Sequence, residues 1–263
     1  RPIWFGASLL AIAVLAFIIY IFFDLRYDRI KKYKLSHSSE EEFRLRDVFK
    51  LIRIPSFIYI TLLCVTFYSA VFPFLKYATD MLENKFDLPG ELAGRITSIL
   101  PFGTIIFTPL FGWFTDIKGR SASVMILGSL LLISVHLTFT FTQFNPYLPM
   151  FVLGIAFSLV PAAMWPSVAK IVETGKIGTA YGFMFSVQNI GLWLFPLLIG
   201  RVLDITNPGI TQEMVSSGQA VYNYTYSILM LAFLGILGVI FAVLLLRSDK
   251  KYKIGLELPN KTE

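Results

Sequence analysis

The side chains of this chain best suited to chemistry are amides, aromatic rings with a polar handle, and one aspartate and arginine four residues apart. Gln188 and Asn189 lie in a stretch without charge, and Tyr181, Gln188 and Asn189 fall near one face at helical spacing, with Ser186 beside them. An amide donates and accepts at once, as a zwitterionic or amide-containing solute requires. Tyr68 and Trp165 each join apolar surface to one polar atom. Trp165 stands between Pro161 and Pro166, which remove backbone bonds and either interrupt a helix beside a cavity or kink a packed one. Tyr68, Trp165, Gln188 and Asn189 are therefore the expected substrate-binding residues. Interhelical bonding stays open as the other use of the two amides, because buried amides must find partners. A second set, Gly112, Asp116, Gly119 and Arg120, pairs two glycines with two charges. Gly112 would let a helix approach, Asp116 would accept at a helix N-terminus, Gly119 would take a positive φ, and Arg120 would meet a carboxylate. Such a set can latch one conformation, or be an ordinary tight turn. No nucleophile, base and orienter set, no metal-ligand cluster and no phosphate-binding glycine loop is legible, so neither an enzyme nor a cofactor is expected.

The elements that hold these residues follow from where charge is missing. The 263 residues are 56% hydrophobic and 15% charged, with mean hydropathy +0.68. A soluble domain carries roughly 25% charged residues. Seven runs contain no Asp, Glu, Lys or Arg: 3–23, 54–75, 96–115, 121–141, 147–169, 177–200 and 221–246. About 20 apolar residues cross a bilayer core as a helix, and without water the backbone must bond to itself. The fold class is all-α integral membrane, with the lipid bilayer as its main partner. In the second run Thr61, Cys64 and Tyr68 form a polar stripe, and in the third Thr97, Thr104 and Thr108 do so around Pro101. Gly178 and Gly182 have the small-xxx-small spacing that lets helices pack closely. Of the side chains in the seven runs only His136 titrates near pH 7, and it is read as packing, with a proton relay as the alternative. Lone Cys64 cannot form an intrachain disulfide.

Charge also orients the chain. Of the 23 Lys and Arg residues, 18 fall in alternate loops on one side and 5 on the other. Cytoplasmic loops attract Lys and Arg, which places the C-terminus and the 24–53 loop inside. The net charge of +6 is thereby explained without nucleic acid. The 24–53 segment mixes the basic run Arg29–Lys34, the acidic run Glu40–Glu42 and an amphipathic stretch Phe43–Ile54, as an interdomain linker would. The organisation expected is a transmembrane helix at 1–23, a cytoplasmic linker at 24–53, a six-helix half at 54–246 and a cytoplasmic tail at 247–263. One span, a linker and six spans is an odd count for a whole transporter and a natural one for a truncated one. The first span is read as the sixth helix of a parent whose N-terminal half is the missing partner.

Gly112-Trp113-Phe114-Thr115-Asp116-Ile117-Lys118-Gly119-Arg120-Ser121 resembles the loop signature of the major facilitator superfamily, G-x-x-x-D-x-x-G-R-K/R, departing from it at Ser121. In that family the signature lies between helices 2 and 3 and, more loosely, between 8 and 9, where the span count places this copy. Pro161–Ala169, Gly178–Met184, Gln188–Gly191 and Tyr68–Phe74 resemble the subgroup that includes the lysosomal dipeptide carrier. The resemblance implies a six-helix C-terminal bundle plus one preceding helix, in a secondary transporter that moves a small polar solute by alternating access. Dipeptides are the implied substrate, with another small organic or inorganic anion as the alternative. The span count by itself also permits a seven-helix receptor or sensor.

Overall fold

In the computed structural model, residues 2–34 and 45–259 are described; they fall in two compact units, Arg1–Glu42 and Phe43–Glu263. The described part of the first is a helix, α1 (Pro2–Lys34), whose large apolar side chains from Ile3 to Phe23 are exposed. It continues past residue 23, where the linker was expected to begin. The acidic run Glu40–Glu42 lies outside the described residues, while the amphipathic stretch yields a short helix, α2 (Leu45–Ile52), that buries Leu51 and exposes Phe49.

The second unit continues with α3 (Pro55–Phe86), α4 (Gly90–Thr97), α5 (Ile99–Lys118), α6 (Ser121–Phe141), α7 (Tyr147–Ile171), α8 (Ile177–Thr206), α9 (Gln212–Ser216) and α10 (Thr225–Tyr252). Each charge-free run has become a helix, and among the described residues seven helices or helix pairs are long and apolar enough to span a membrane. Their ends follow local chemistry. Pro55 sits in the first turn of α3, where its missing N–H costs nothing, and Asp87 closes that helix in the left-handed region. The third span breaks between α4 and α5 because Pro101 has no N–H to offer the Thr97 carbonyl; the chain resumes with Phe102 N donating to Ser98 O. Pro161 and Pro166 do not break α7, which stays helical through both.

Four helices, α3, α10, α6 and α7, pack in a closed set, with α8 against α3 and α5 against α7. One side of the unit is thus formed by α3 and α7 and flanked by α8 and α5, both of which expose most of their apolar residues. Close packing uses glycines other than those expected. A Cβ on Gly178 or Gly182 would meet nothing within 4 Å, so that spacing brings no described helix close. Gly128 of α6 instead faces Val160 and the Ala156 carbonyl of α7, and Gly191 of α8 lies on Ser69 of α3. His136 is fully buried, with Nδ1 on the Leu132 carbonyl at 2.8 Å and its ring edge-on to Phe74. Its Nε2 meets no hydrogen-bond partner among the described residues.

Replacing Gly128 by Leu should cost about 1–3 kcal/mol by overpacking against the Ala156 backbone. Gly182→Ala, with open space around it, should be neutral or gain about 0.5–1 kcal/mol of helix stability. Thermal unfolding of the purified full-length protein in detergent measures both; equal destabilisation would contradict this packing.

Candidate functional site

On the side formed by α3 and α7, aromatic rings meet in a connected cluster. Tyr68 of α3 packs edge-on to Phe157 and Trp165 of α7 and parallel to Phe72, with centroids 5.6, 6.3 and 5.7 Å away. Trp165 donates from Nε1 to Tyr68 Oη at 3.1 Å, and its ring stacks on Phe185 of α8 at 4.7 Å. Tyr181 Oη donates to the Trp165 carbonyl at 2.9 Å, tying α8 to α7 between the two prolines. The cluster is graded outward: Tyr68 is 8% exposed, Phe72 41% and Phe185 48%.

The two amides part company. Gln188 is buried in the seam between α8 and α3, where its Oε1 accepts from Cys64 Sγ at 3.2 Å. That is the interhelical use left open by the sequence, and it turns Gln188 away from the exposed face. Asn189, one residue on and so about 100° around the helix, is exposed. Its Nδ2 bonds back to the Phe185 carbonyl at 2.8 Å, leaving Oδ1 as an acceptor. The structure therefore brings Tyr68 and Trp165 together, sets Asn189 one turn from Phe185, and puts Gln188 behind them. The hydroxyl stripes are local: Thr61 bonds to the Phe57 carbonyl, Thr97 to that of Ala93 and Thr104 to that of Pro101. Among the described residues no carboxylate or cation joins the aromatic cluster.

The loop between α5 and α6 carries the second set. Gly119 has φ +70°, as its type requires, and Arg120 follows at φ +62°. A Cβ on Gly112 would meet nothing within 4 Å, so no described helix approaches there. Asp116 is half-buried and Arg120 exposed. What the sequence did not foretell is the partner of this loop, the segment after α10. Arg120 N donates to Glu257 O and Ser121 N to Leu256 O, both at 3.1 Å. Ser123 donates to the Glu257 carboxylate twice, from N at 3.0 Å and from Oγ at 2.6 Å. No periodicity in 247–263 signalled this.

At the opposite end of the unit Asn84, Lys85, Thr140, Tyr222 and Tyr224 line a polar cavity of about 390 Å³. Lys85 Nζ caps the last carbonyls of α6, including that of Thr140 at 2.8 Å, and Tyr224 Oη donates to Asp80. Burial, and then that carboxylate, pushes the Tyr224 phenol above its ordinary range.

Comparison with known proteins gives a consistent result. The profile of the Major Facilitator Superfamily matches over residues 2–196 and again over 74–260. The lysosomal dipeptide transporter MFSD1 of Mus musculus is 35% identical over 183 residues, which are 70% of this chain and 39% of that protein. The Homo sapiens protein of the same name is 33% identical over the same share of this chain, and that of Danio rerio 31% over 204 residues, or 76% of this chain. The chain spans about two fifths of the length of these relatives, 39% and 43% for the latter two. Among solved structures, a mutant of the peptide transporter POT in complex with alafosfalin shares the fold with TM-score 0.55 at 17% identity, over 81% of this chain and 41% of that one.

The separation of the two amides is testable without substrate. Gln188→Ala leaves a buried gap and strips Cys64 of its acceptor, and should lower stability by about 1–3 kcal/mol. Asn189→Ala, on the exposed face, should leave the melting temperature in detergent within about 1 °C of the unaltered protein, a change of under roughly 0.5 kcal/mol.

Proposed function

The chain belongs to the Major Facilitator Superfamily, and on that premise we propose that it is the C-terminal half, with one preceding helix, of a secondary transporter that moves a small polar solute by alternating access. The observation that carries the reading, beside the family match, is the uncharged aromatic face of α3, α7 and α8 that the described residues leave uncovered. A missing half would cover that face, and the solute would lie between the two. On this reading Trp165, Phe185 and Phe72 offer ring surface, Tyr68 a hydroxyl already paired with Trp165, and Asn189 an amide. Gln188 supports them from behind by joining α8 to α3.

Dipeptides are the solute class we favour. The relatives named as dipeptide transporters support it, and so does chemistry: a dipeptide presents apolar side chains and an amide to this face, and its two charges would pair with side chains of the other half. An anion is served less well here. Arg95 is already paired with Glu91 at 2.6 Å, and Lys76, exposed on α3 ten residues before its end, is outside the aromatic cluster. The receptor reading rested on the span count, and family membership removes its ground. We place the α5–α6 loop and the segment after α10 on the cytoplasmic side, from the charge asymmetry. Asp116 and Arg120 on that loop act as a latch toward the other half, favouring one conformation.

Full-length protein in liposomes, assayed for dipeptide uptake with and without an imposed pH gradient, tests the function. Trp165→Ala should raise the apparent KM by up to about tenfold, the value of one aromatic contact, at comparable expression. Asn189→Ala should raise it less. Unchanged kinetics in both variants would remove this face from the binding site. A cysteine in place of Thr174 should be labelled only from the cytoplasmic side and one in place of Ser216 only from the other; labelling of both from one side would overturn the orientation.

A further inference from the structure

The α5–α6 loop cannot hold its shape by itself. Two successive residues have positive φ, and the second, Arg120, is not a glycine and so carries a steric penalty there. Arg120 is also the N-cap of α6, yet its side chain caps nothing, so the first amides of α6 need acceptors from elsewhere. They find them in the segment after α10. Glu257 supplies a backbone carbonyl to Arg120 and a carboxylate to both polar groups of Ser123, and Leu256 supplies its carbonyl to Ser121. A carboxylate at a helix N-terminus is the favourable charge for that end.

That segment is itself fixed from below. Asp249 Oδ1 accepts from Gly255 N at 2.8 Å and Leu256 N at 2.9 Å, and Lys170 of α7 donates to the carbonyls of Gly255 at 3.0 Å and Leu258 at 2.8 Å. Leu256 is fully buried. The fit over the loop is tight, because a Cβ on Gly119 would run into the backbone of Glu257 and Leu258. The loop that carries Asp116 and Arg120 is thus clamped by a strap anchored on α10 and α7.

We propose that Gly255–Leu258 is a strap that sets the geometry of the α5–α6 loop, with Glu257 as its positioning residue, so that losing the strap unlatches the transporter. This rests on the reading of Asp116 and Arg120 as a latch and adds what holds them in place. Glu257 acts through the first turn of α6, where it bonds to Ser123 and Arg120.

The test uses full-length protein carrying Ala169→Cys, an exposed position one turn beyond Trp165, and follows the rate of thiol labelling in proteoliposomes. Glu257→Ala and Asp116→Asn should each change that rate in the same direction, by about fivefold, the ratio that a lost helix cap corresponds to. The double variant should go no further than either single one. Glu257→Gln keeps the side-chain volume and one acceptor, should give a smaller change, and serves where the alanine variant folds poorly. Amide hydrogen exchange at Ser121–Val124 should quicken in both Glu257 variants. If Asp116→Asn changes labelling and the Glu257 variants do not, the strap is overturned while the latch stands. If none changes it, the latch fails and the strap with it. Additive changes, or a change with Glu257 alone, would show the tail acting by another route and equally overturn the proposal.

Discussion

In hydrocarbon an unpaired backbone amide or carbonyl costs several kcal/mol, because no water is there to take it. The details of this bundle follow from that constraint. Hydroxyls of Thr61, Ser129, Ser158 and Ser167 turn back onto carbonyls four residues earlier. Proline takes a bond away in two places with different results. In the third span the helix breaks at Ser98 and restarts, whereas α7 stays helical through Pro161 and Pro166, and Tyr181 of α8 donates to the Trp165 carbonyl between them. The proline-rich stretch of α7 is consequently tied to α8 beside Trp165. On the transport function proposed above, a stretch weakened in its own bonds and bonded to a neighbour is where a helix would adjust as solute comes and goes.

The same constraint explains what could be read from sequence. Charge is so costly in the bilayer that its absence over about 20 residues marks each span, and those seven runs foretold the helices of this structure. The Tyr68 and Trp165 pair was half legible, since residue type suggested the role while only the crossing of α3 and α7 could bring Nε1 to Oη. Gln188 and Asn189 show the limit of periodicity. A step of one residue carries the side chain from a buried seam to an open face, and which amide goes where depends on where α3 packs. Glycine spacing was no better guide. Gly178 and Gly182 matched a packing pattern and touch nothing, while Gly128 and Gly191, outside that pattern, carry the close contacts.

The strap was illegible for a different reason. Glu257 and Ser123 are 134 residues apart, and nothing local in the tail announces a helix cap supplied from so far away. The signature loop could be recognised by its residues, but its shape belongs to a tertiary contact. Arg120 makes the point: the sequence offered its guanidinium to a carboxylate within reach, yet in the structure its backbone N–H is engaged by the tail and its side chain is exposed. The conformation of the loop and the chemistry of its side chains are thereby separated. The tail holds the first, while the Arg120 side chain stays exposed.

The uncharged character of the aromatic face bears on how two halves could divide their work. A charge held on this face would be desolvated whenever the halves close over it, and an unpaired buried charge is strongly penalised. Rings carry no such penalty in either state. They gain from a solute's apolar parts and lose little when the cavity opens to water, so a face made of them can bind and release with small differences in free energy. Charge pairing is the more discriminating interaction, and confining it to one half would keep a charged solute from bridging both halves too tightly to leave. Tyr68 and Trp165 follow the same logic at the scale of single bonds: each polar atom is already satisfied by the other before solute arrives. On the transport function proposed above, this pairing lets the two rings stay satisfied when the face is empty, as a carrier that returns without its cargo would require.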